Sequence, residues 1–124
     1  MSIIGSLQTC AFIAVRDRDA AKAFYGGVLG LTLTSEDPYG VVYALAGARL
    51  RLTPLRDHQP QQQTVLGWNA ADVPATVRAL TDAGIVFERY SFLPQDDLGI
   101  WHSGEAQVAW FKDPDGNILS LSSL

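Results

Sequence analysis

Cysteine is nearly absent from this chain. Cys10 is the only one in 124 residues, which rules out an internal disulfide and suits a reducing compartment. Lysine is scarce too: Lys22 and Lys112 are the only two, and 9 basic residues against 13 acidic ones leave a net charge of −4. Nucleic-acid binding draws on clustered Lys and Arg, so this balance argues against such a partner. No basic residue precedes Arg16, and Gln8 and Thr9 interrupt the apolar N-terminal stretch, so no signal peptide is expected. Long apolar runs are missing as well. None approaches the roughly 18–20 residues of a membrane helix, so no membrane partner is expected and a cytoplasmic location is the default.

What remains is the composition of an ordinary globular protein, 48% hydrophobic and 18% charged. A chain of this length forms one domain, 1–124, and buries about two thirds of its unfolded surface. Residues 7–15 read as a buried strand. Asp17 follows as a helix cap, with Ala20, Ala21, Ala23, Phe24 and Leu29 carrying the helix and Phe24 and Val28 sharing a face. Gly26, Gly27 and Gly30 weaken its end. Residues 31–37 read as a strand, Asp37-Pro38-Tyr39-Gly40 as a type I turn, 41–45 as a second strand and 48–53 as an alternating, half-buried third.

After a polar stretch with Pro60 and three glutamines, the plan repeats. Residues 65–70 read as a strand. Asp72 caps a helix with Pro74 in its first turn and Gly84 past its end. Residues 86–90 read as the next strand. A long polar loop runs from Leu93 to Gly104, then come a strand at 107–111, the turn Asp113-Pro114-Asp115-Gly116 and a last strand at 118–121. The caps Asp17 and Asp72 lie 55 residues apart, about half the chain. Duplication of a β-α-β-β-β module is the simplest reading, with module one at about 5–56, a linker at about 57–63 and module two at about 64–124. Periodicity alone also admits an unrelated α+β sandwich with two helices.

Three motifs narrow this. Val15-Arg16-Asp17 with Ala23-Phe24-Tyr25, then Val28-Leu29-Gly30-Leu31, and finally Ala109-Trp110-Phe111-Lys112-Asp113-Pro114-Asp115-Gly116-Asn117 resemble, in that order, the vicinal oxygen chelate superfamily of glyoxalases, bleomycin-resistance proteins and extradiol dioxygenases. The resemblance covers nearly the whole chain. It implies an α+β fold of two tandem βαβββ modules forming a curved mixed sheet around a central cleft, commonly in a homodimer. It also implies four metal-ligand positions. The usual His on strand one falls on Cys10, the usual Glu on the fourth strand on Arg51, the His opening the second module on Val65 or a neighbour, and the last Glu on Ser120.

These residues do not make a divalent-metal site. Such a site needs His and carboxylate donors with one position open. Val cannot donate, Ser is a weak neutral ligand, and one thiolate does not hold a metal. A guanidinium about 4 Å from a dication would be opposed by roughly 8 kcal/mol at an effective dielectric of about 20. His58 and His102, the only histidines, match no ligand position. No metal and no other cofactor is therefore expected.

Strand alternation places Phe12 and Ala14 on the face of Cys10, Arg49 and Thr53 on that of Arg51, and Ile118 and Ser122 on that of Ser120. The expected cleft residues are Cys10, Phe12, Tyr43, Arg51, Trp101, His102 and Ser120, with Tyr90 and Trp110 as further lining. Arg51 suits either a grip on a carboxylate or phosphate-like group or a pairing with an acidic neighbour. Cys10 suits a lowered-pKa nucleophile or, more commonly for its type, an inert small hydrophobe. Trp68 and Trp110 equally fit core packing. Trp101 and His102 sit in the loop that resembles the family's lid over the cleft.

Three functions follow. The chain is expected to be a metal-free binding protein whose cleft sequesters a small organic ligand. The alternative is a lyase, isomerase or dioxygenase of the same superfamily, metal-dependent or metal-free, with Glu36, Asp96, Asp97, His102 and Glu105 as the only nearby general-base candidates. A regulatory or degenerate subunit that only dimerises is the third. No catalytic residue is assigned, because a shared fold does not decide among them.

Overall fold

A computed structural model describes residues 3–123. Strand β1 (Thr9–Val15) leads through helix α1 (Arg18–Lys22) and a π-helical segment (Ala23–Val28) to strands β2 (Thr32–Asp37), β3 (Gly40–Leu45) and β4 (Ala48–Pro54). The order then recurs as β5 (Thr64–Asn69), α2 (Val73–Asp82), β6 (Trp101–Ser103), β7 (Ala106–Lys112) and β8 (Ile118–Ser122). Each set forms a four-stranded mixed sheet, ordered β1-β4-β3-β2 in one and β5-β8-β7-β6 in the other. In both, the first and last strands pair in parallel and the remaining ladders are antiparallel. The duplicated α+β architecture is thus present. Contacts divide the chain into two compact units that meet between His58 and Gln59. No helix among the described residues is long and apolar enough to cross a membrane.

The same local chemistry starts both helices. Asp17 accepts a hydrogen bond from Ala20 N and Asp72 from Ala75 N, each at 3.0 Å, which satisfies a first-turn N–H that has no carbonyl partner. Pro74 opens α2, where its missing N–H costs nothing. Gly84, at φ +101°, closes it: Gly84 N bonds Thr81 O and Ile85 N bonds Leu80 O, the left-handed stop only glycine adopts freely.

The first helix departs from the expected form. Beyond Lys22 the bonds widen to five residues, as in Leu29 N to Phe24 O at 2.9 Å. The wider turn rotates Val28 away from Phe24's face, so Phe24 is buried and Val28 is 38% exposed. Gly26 permits this packing, since a Cβ there would stand 3.3 Å from the Tyr43 ring.

Unit one buries Ile13, Val15, Ala21, Phe24, Tyr25, Val41, Leu50 and Leu52 between sheet and helix. Unit two buries Val73 and Val77 of α2 with Ala109, Phe111, Leu119 and Leu121 of the sheet. Phe111 is sandwiched there, stacked on Trp68 at 6.4 Å and edge-on to Phe87 at 5.5 Å. The strand expected at 86–90 does not form. Only Glu88 N reaches β7, at Trp110 O (2.8 Å). The Gln95 side chain engages two further groups of the segment: its oxygen accepts from Tyr90 N (2.7 Å) and its amide donates to Glu88 O (3.0 Å), as well as to Gly99 O (2.9 Å). The fourth strand of this sheet is β6, inside the stretch read as loop.

The Asp-Pro-Asp-Gly-Asn motif proves to be a buried brace at the β7–β8 turn. Asp113 accepts from the N–H groups of Asp115 and Asn117, both at 2.9 Å, and from the Asn117 side-chain amide at 2.8 Å. Asp113, Asp115 and Asn117 are all buried, so this motif marks the fold and not the chemistry.

Candidate functional site

In unit one, register sorts the side chains of the sheet. Cys10 pairs with Arg49 and Phe12 with Arg51 across β1 and β4, and Arg51 pairs in turn with Val42 of β3. Cys10, Phe12, Arg49 and Arg51 therefore share the face that points away from the helix, while Ile13, Val15, Leu50 and Leu52 are buried on the other. Phe12 is 67% exposed. The Cys10 thiol makes only a 3.9 Å contact with Ala11 O. Arg51 Nη2 meets Asp37 Oδ1 at 3.3 Å, the acidic-neighbour role foreseen for it. That carboxylate sits below its ordinary pKa, held first by the Tyr39 N–H and then by Arg51, against the opposing effect of burial.

Tyr43 corrects the expected lining. It pairs with the buried Leu50 and is itself 2% exposed, packed over Gly26 on the helix side of the sheet. Its large aromatic side chain signalled a cavity, but strand parity puts it on the face opposite Arg51. Burial raises its pKa.

In unit two, a groove of about 410 Å³ is lined by Gln62, Thr64, Tyr90, Phe92, Leu93, Trp110 and Ile118. Its wall is aromatic. Tyr90 meets Phe92 at 5.5 Å and stands edge-on to Trp110 at 5.6 Å, and Trp101 continues the row 6.3 Å from Trp110. Burial, aided by Glu88 and opposed by Lys112, raises the Tyr90 pKa, so the phenol stays neutral and able to donate. The lining contains no His, Cys, Asp or Glu. Tyr90 and Trp110 were legible as candidates. Phe92 and Leu93 were not, because the Gln95 bonds that fold residues 90–95 leave no periodic trace in sequence, nor were Gln62 and Thr64, which lie in and beside the polar stretch that reads as a linker.

Trp101 belongs to this aromatic row, but its neighbour His102 points elsewhere. His102 Nε2 lies 2.8 Å from Asp96 Oδ2, while Asp96 Oδ1 accepts from Leu98 N and Ile100 N, both at 2.9 Å. Burial alone would raise the Asp96 pKa, but the bonds from His102, Ile100 and Leu98 outweigh it and hold it low. Arg89 adds bonds to the carbonyls of Asp96 and Asp97, each at 2.6 Å. The long loop is thus fastened by its own polar groups. Of the other base candidates, Glu36 is taken by Arg18 and Lys22, and Glu105 is exposed in the β6–β7 turn.

The residues at the implied metal-ligand positions do not fit a metal ion. Cys10 is beside the Arg49 position, Arg51 is ion-paired, and Val65 is an alkyl group 43% exposed. Ser120 stands against Gly67, where a Cβ would come within 2.5 Å of its hydroxyl. Among the described residues no three His, Cys, Asp or Glu side chains gather closely enough to hold an ion.

Solved structures share this architecture. A glyoxalase family protein from Enterococcus faecalis is 19% identical, with 98% of this chain and 99% of that one covered and a TM-score of 0.73. From Streptomyces sp. CB03234, TnmS3, an antibiotic binding protein, is 24% identical over 97% of each chain with a TM-score of 0.71. A glyoxalase/bleomycin resistance protein from the same source is 24% identical over 92% of this chain and 97% of that one, with a TM-score of 0.65. No curated protein matches the sequence significantly. A family model does, over residues 6–121, and with it the paired motifs and duplicated sheets have one explanation: the chain belongs to the Glyoxalase/Bleomycin resistance protein/Dioxygenase superfamily.

Proposed function

We propose that the chain captures a small, uncharged aromatic molecule in the groove of its second unit and holds it without transforming it. One observation carries this reading: a groove of about 410 Å³ walled by Tyr90, Phe92 and Trp110 and free of any carboxylate, imidazole or thiol. Apolar walls with a few polar groups suit ligand binding. Gln62, Thr64 and the neutral Tyr90 phenol supply the polar groups. General acid–base chemistry would need a titratable group within reach of the ligand, and the lining offers none near neutral pH. A holding role also suits a fold shared with an antibiotic binding protein. We propose further that the chain is a cytoplasmic homodimer, as the resemblance to its family implies; light scattering should then return twice the chain mass.

Titration with uncharged two- and three-ring aromatics, followed by tryptophan emission, tests the proposal. Saturable quenching at one site per chain is expected, and Trp110→Ala should weaken it at least about tenfold, or ~1.4 kcal/mol. Mass spectrometry should recover the ligand unchanged. Unsaturable quenching, or full affinity in the variant, would refute the groove as the site. A converted ligand would establish the enzymatic alternative.

A further inference from the structure

We infer that a second groove of unit two, between residues 85–89 and the turn at Asp97-Leu98, is a docking slot for an extended peptide segment of a partner protein, one carrying an aliphatic residue beside a lysine or arginine. The groove has a volume of about 340 Å³. Ile85, Phe87 and Leu98 supply its apolar surface, and Arg89 and Asp97 its charges. It shares no lining residue with the groove walled by Tyr90 and Trp110, so it stands whether or not that groove binds.

Backbone hydrogen bonding identifies the occupant. Ile85 and Phe87 are buried while Val86 between them is 80% exposed, the alternation of an extended chain. Ile85 N bonds Leu80 O, Glu88 N bonds Trp110 O, and Gln95 takes Glu88 O and Tyr90 N. Neither the N–H nor the C=O of Phe87 or Arg89 has a hydrogen-bond partner among the described residues. In an extended chain successive residues aim these groups to opposite sides, so with Glu88 turned to β7 those of Phe87 and Arg89 face away from it. Open backbone groups at a two-residue spacing beside an apolar groove match the alternate N–H and C=O groups of one added strand. An aliphatic side chain of that strand suits the surface of Ile85, Phe87 and Leu98. Charge sets the rest. Arg89 is engaged by the carbonyls of Asp96 and Asp97, each at 2.6 Å, and the Asp96 carboxylate by His102. The Asp97 carboxylate is exposed, and no hydrogen bond or ion pair engages it among the described residues. A free carboxylate on the rim selects a cationic side chain.

The test is an amide chemical-shift titration of the full chain with the blocked peptide acetyl-Thr-Val-Lys-Val-Thr-amide. One control is its fully N-methylated form, and another has glutamate in place of lysine. The parent peptide should shift the amides of residues 85–89 and 97–98. Full N-methylation should weaken binding at least about tenfold, the effect of losing backbone hydrogen bonds. The glutamate form should bind about threefold more weakly, the scale of an exposed ion pair, and Asp97→Lys should reverse that preference. Position 97 is exposed, and the variant's spectrum reports directly whether the fold is intact. Trp110→Ala should leave the peptide slot unchanged, so failure of the aromatic groove and failure of this slot are read separately. Absence of shifts at 85–89, equal binding of the N-methylated form, or a charge preference unmoved by Asp97→Lys would overturn the inference. So would shifts at 85–89 that grow with protein concentration in the absence of peptide, because the slot would then belong to a second copy of the chain.

Discussion

Gly67 and Ser120 face one another across β5 and β8, and the space between them is already full. A methyl group at position 67 would stand 2.5 Å from the Ser120 hydroxyl. Gly67→Ala should therefore destabilise the protein by ~1–3 kcal/mol, as overpacking does. Ser120→Ala in the same background removes the clashing oxygen and should restore most of that loss in urea unfolding. Additive single effects in that double-mutant cycle would show that the clash is not the cause. The pair also shows what was legible at this scale. Ser120 stands out in the sequence as a departure from the family's ligand set, but nothing along the chain ties it to a glycine more than fifty residues away. Tyr43 was misread for a related reason: composition announces an aromatic, and only strand parity says which face receives it.

Among elements, α1 and β2 are joined by Arg18, Lys22 and Glu36. Glu36 accepts from Lys22 at 2.9 and 3.0 Å and from Arg18 at 3.0 Å. Those hydrogen bonds, Lys22's first, lower its pKa in the folded state. A lowered carboxylate stabilises the fold above its unfolded pKa, about 4.3. That stability is lost as pH falls through the folded value, because the unfolded chain then binds more protons. Glu36→Gln should accordingly flatten the acid side of the stability profile below about pH 4.3 and leave its alkaline side unchanged. The β7–β8 turn calls for a larger effect. Asp113→Ala strips an acceptor from two backbone N–H groups and one amide, all buried, and should cost about 3 kcal/mol or more in chemical denaturation. Both helix caps, the Asp-Pro-x-Gly turns and most strands were legible from local rules. The missing strand at 86–90 was not, because its pattern of alternation is genuine. The Gln95 side chain satisfies two of the backbone groups a ladder would have used, Tyr90 N and Glu88 O, and a single glutamine sends no such signal. Gln95→Ala should release that tether and weaken ligand capture in the groove, read as a higher Kd in the tryptophan-emission titration.

For the whole molecule, repetition is the organising fact. Two Asp caps, two parallel closures and two three-strand meanders build the same unit twice, and the 55-residue spacing of the caps announced it. The two halves nonetheless diverge in chemistry, with Arg49 and Arg51 on the open face of the first sheet and every tryptophan in the second half. Sheet order has a further consequence. Strand β2 ends the first sheet, all six of its residues are exposed, and its outer backbone groups offer a template to any foreign strand. The register shift between Leu33 and Ser35 bends that template, and the ion-paired side chains of Glu36 and Asp37 stand along it. Irregularity and charged side chains are two devices that keep an open edge from recruiting copies into fibrils. Because both carboxylates titrate below their ordinary range, those ion pairs persist into mild acid. Where protonation breaks them, the bend between Leu33 and Ser35 still guards the edge.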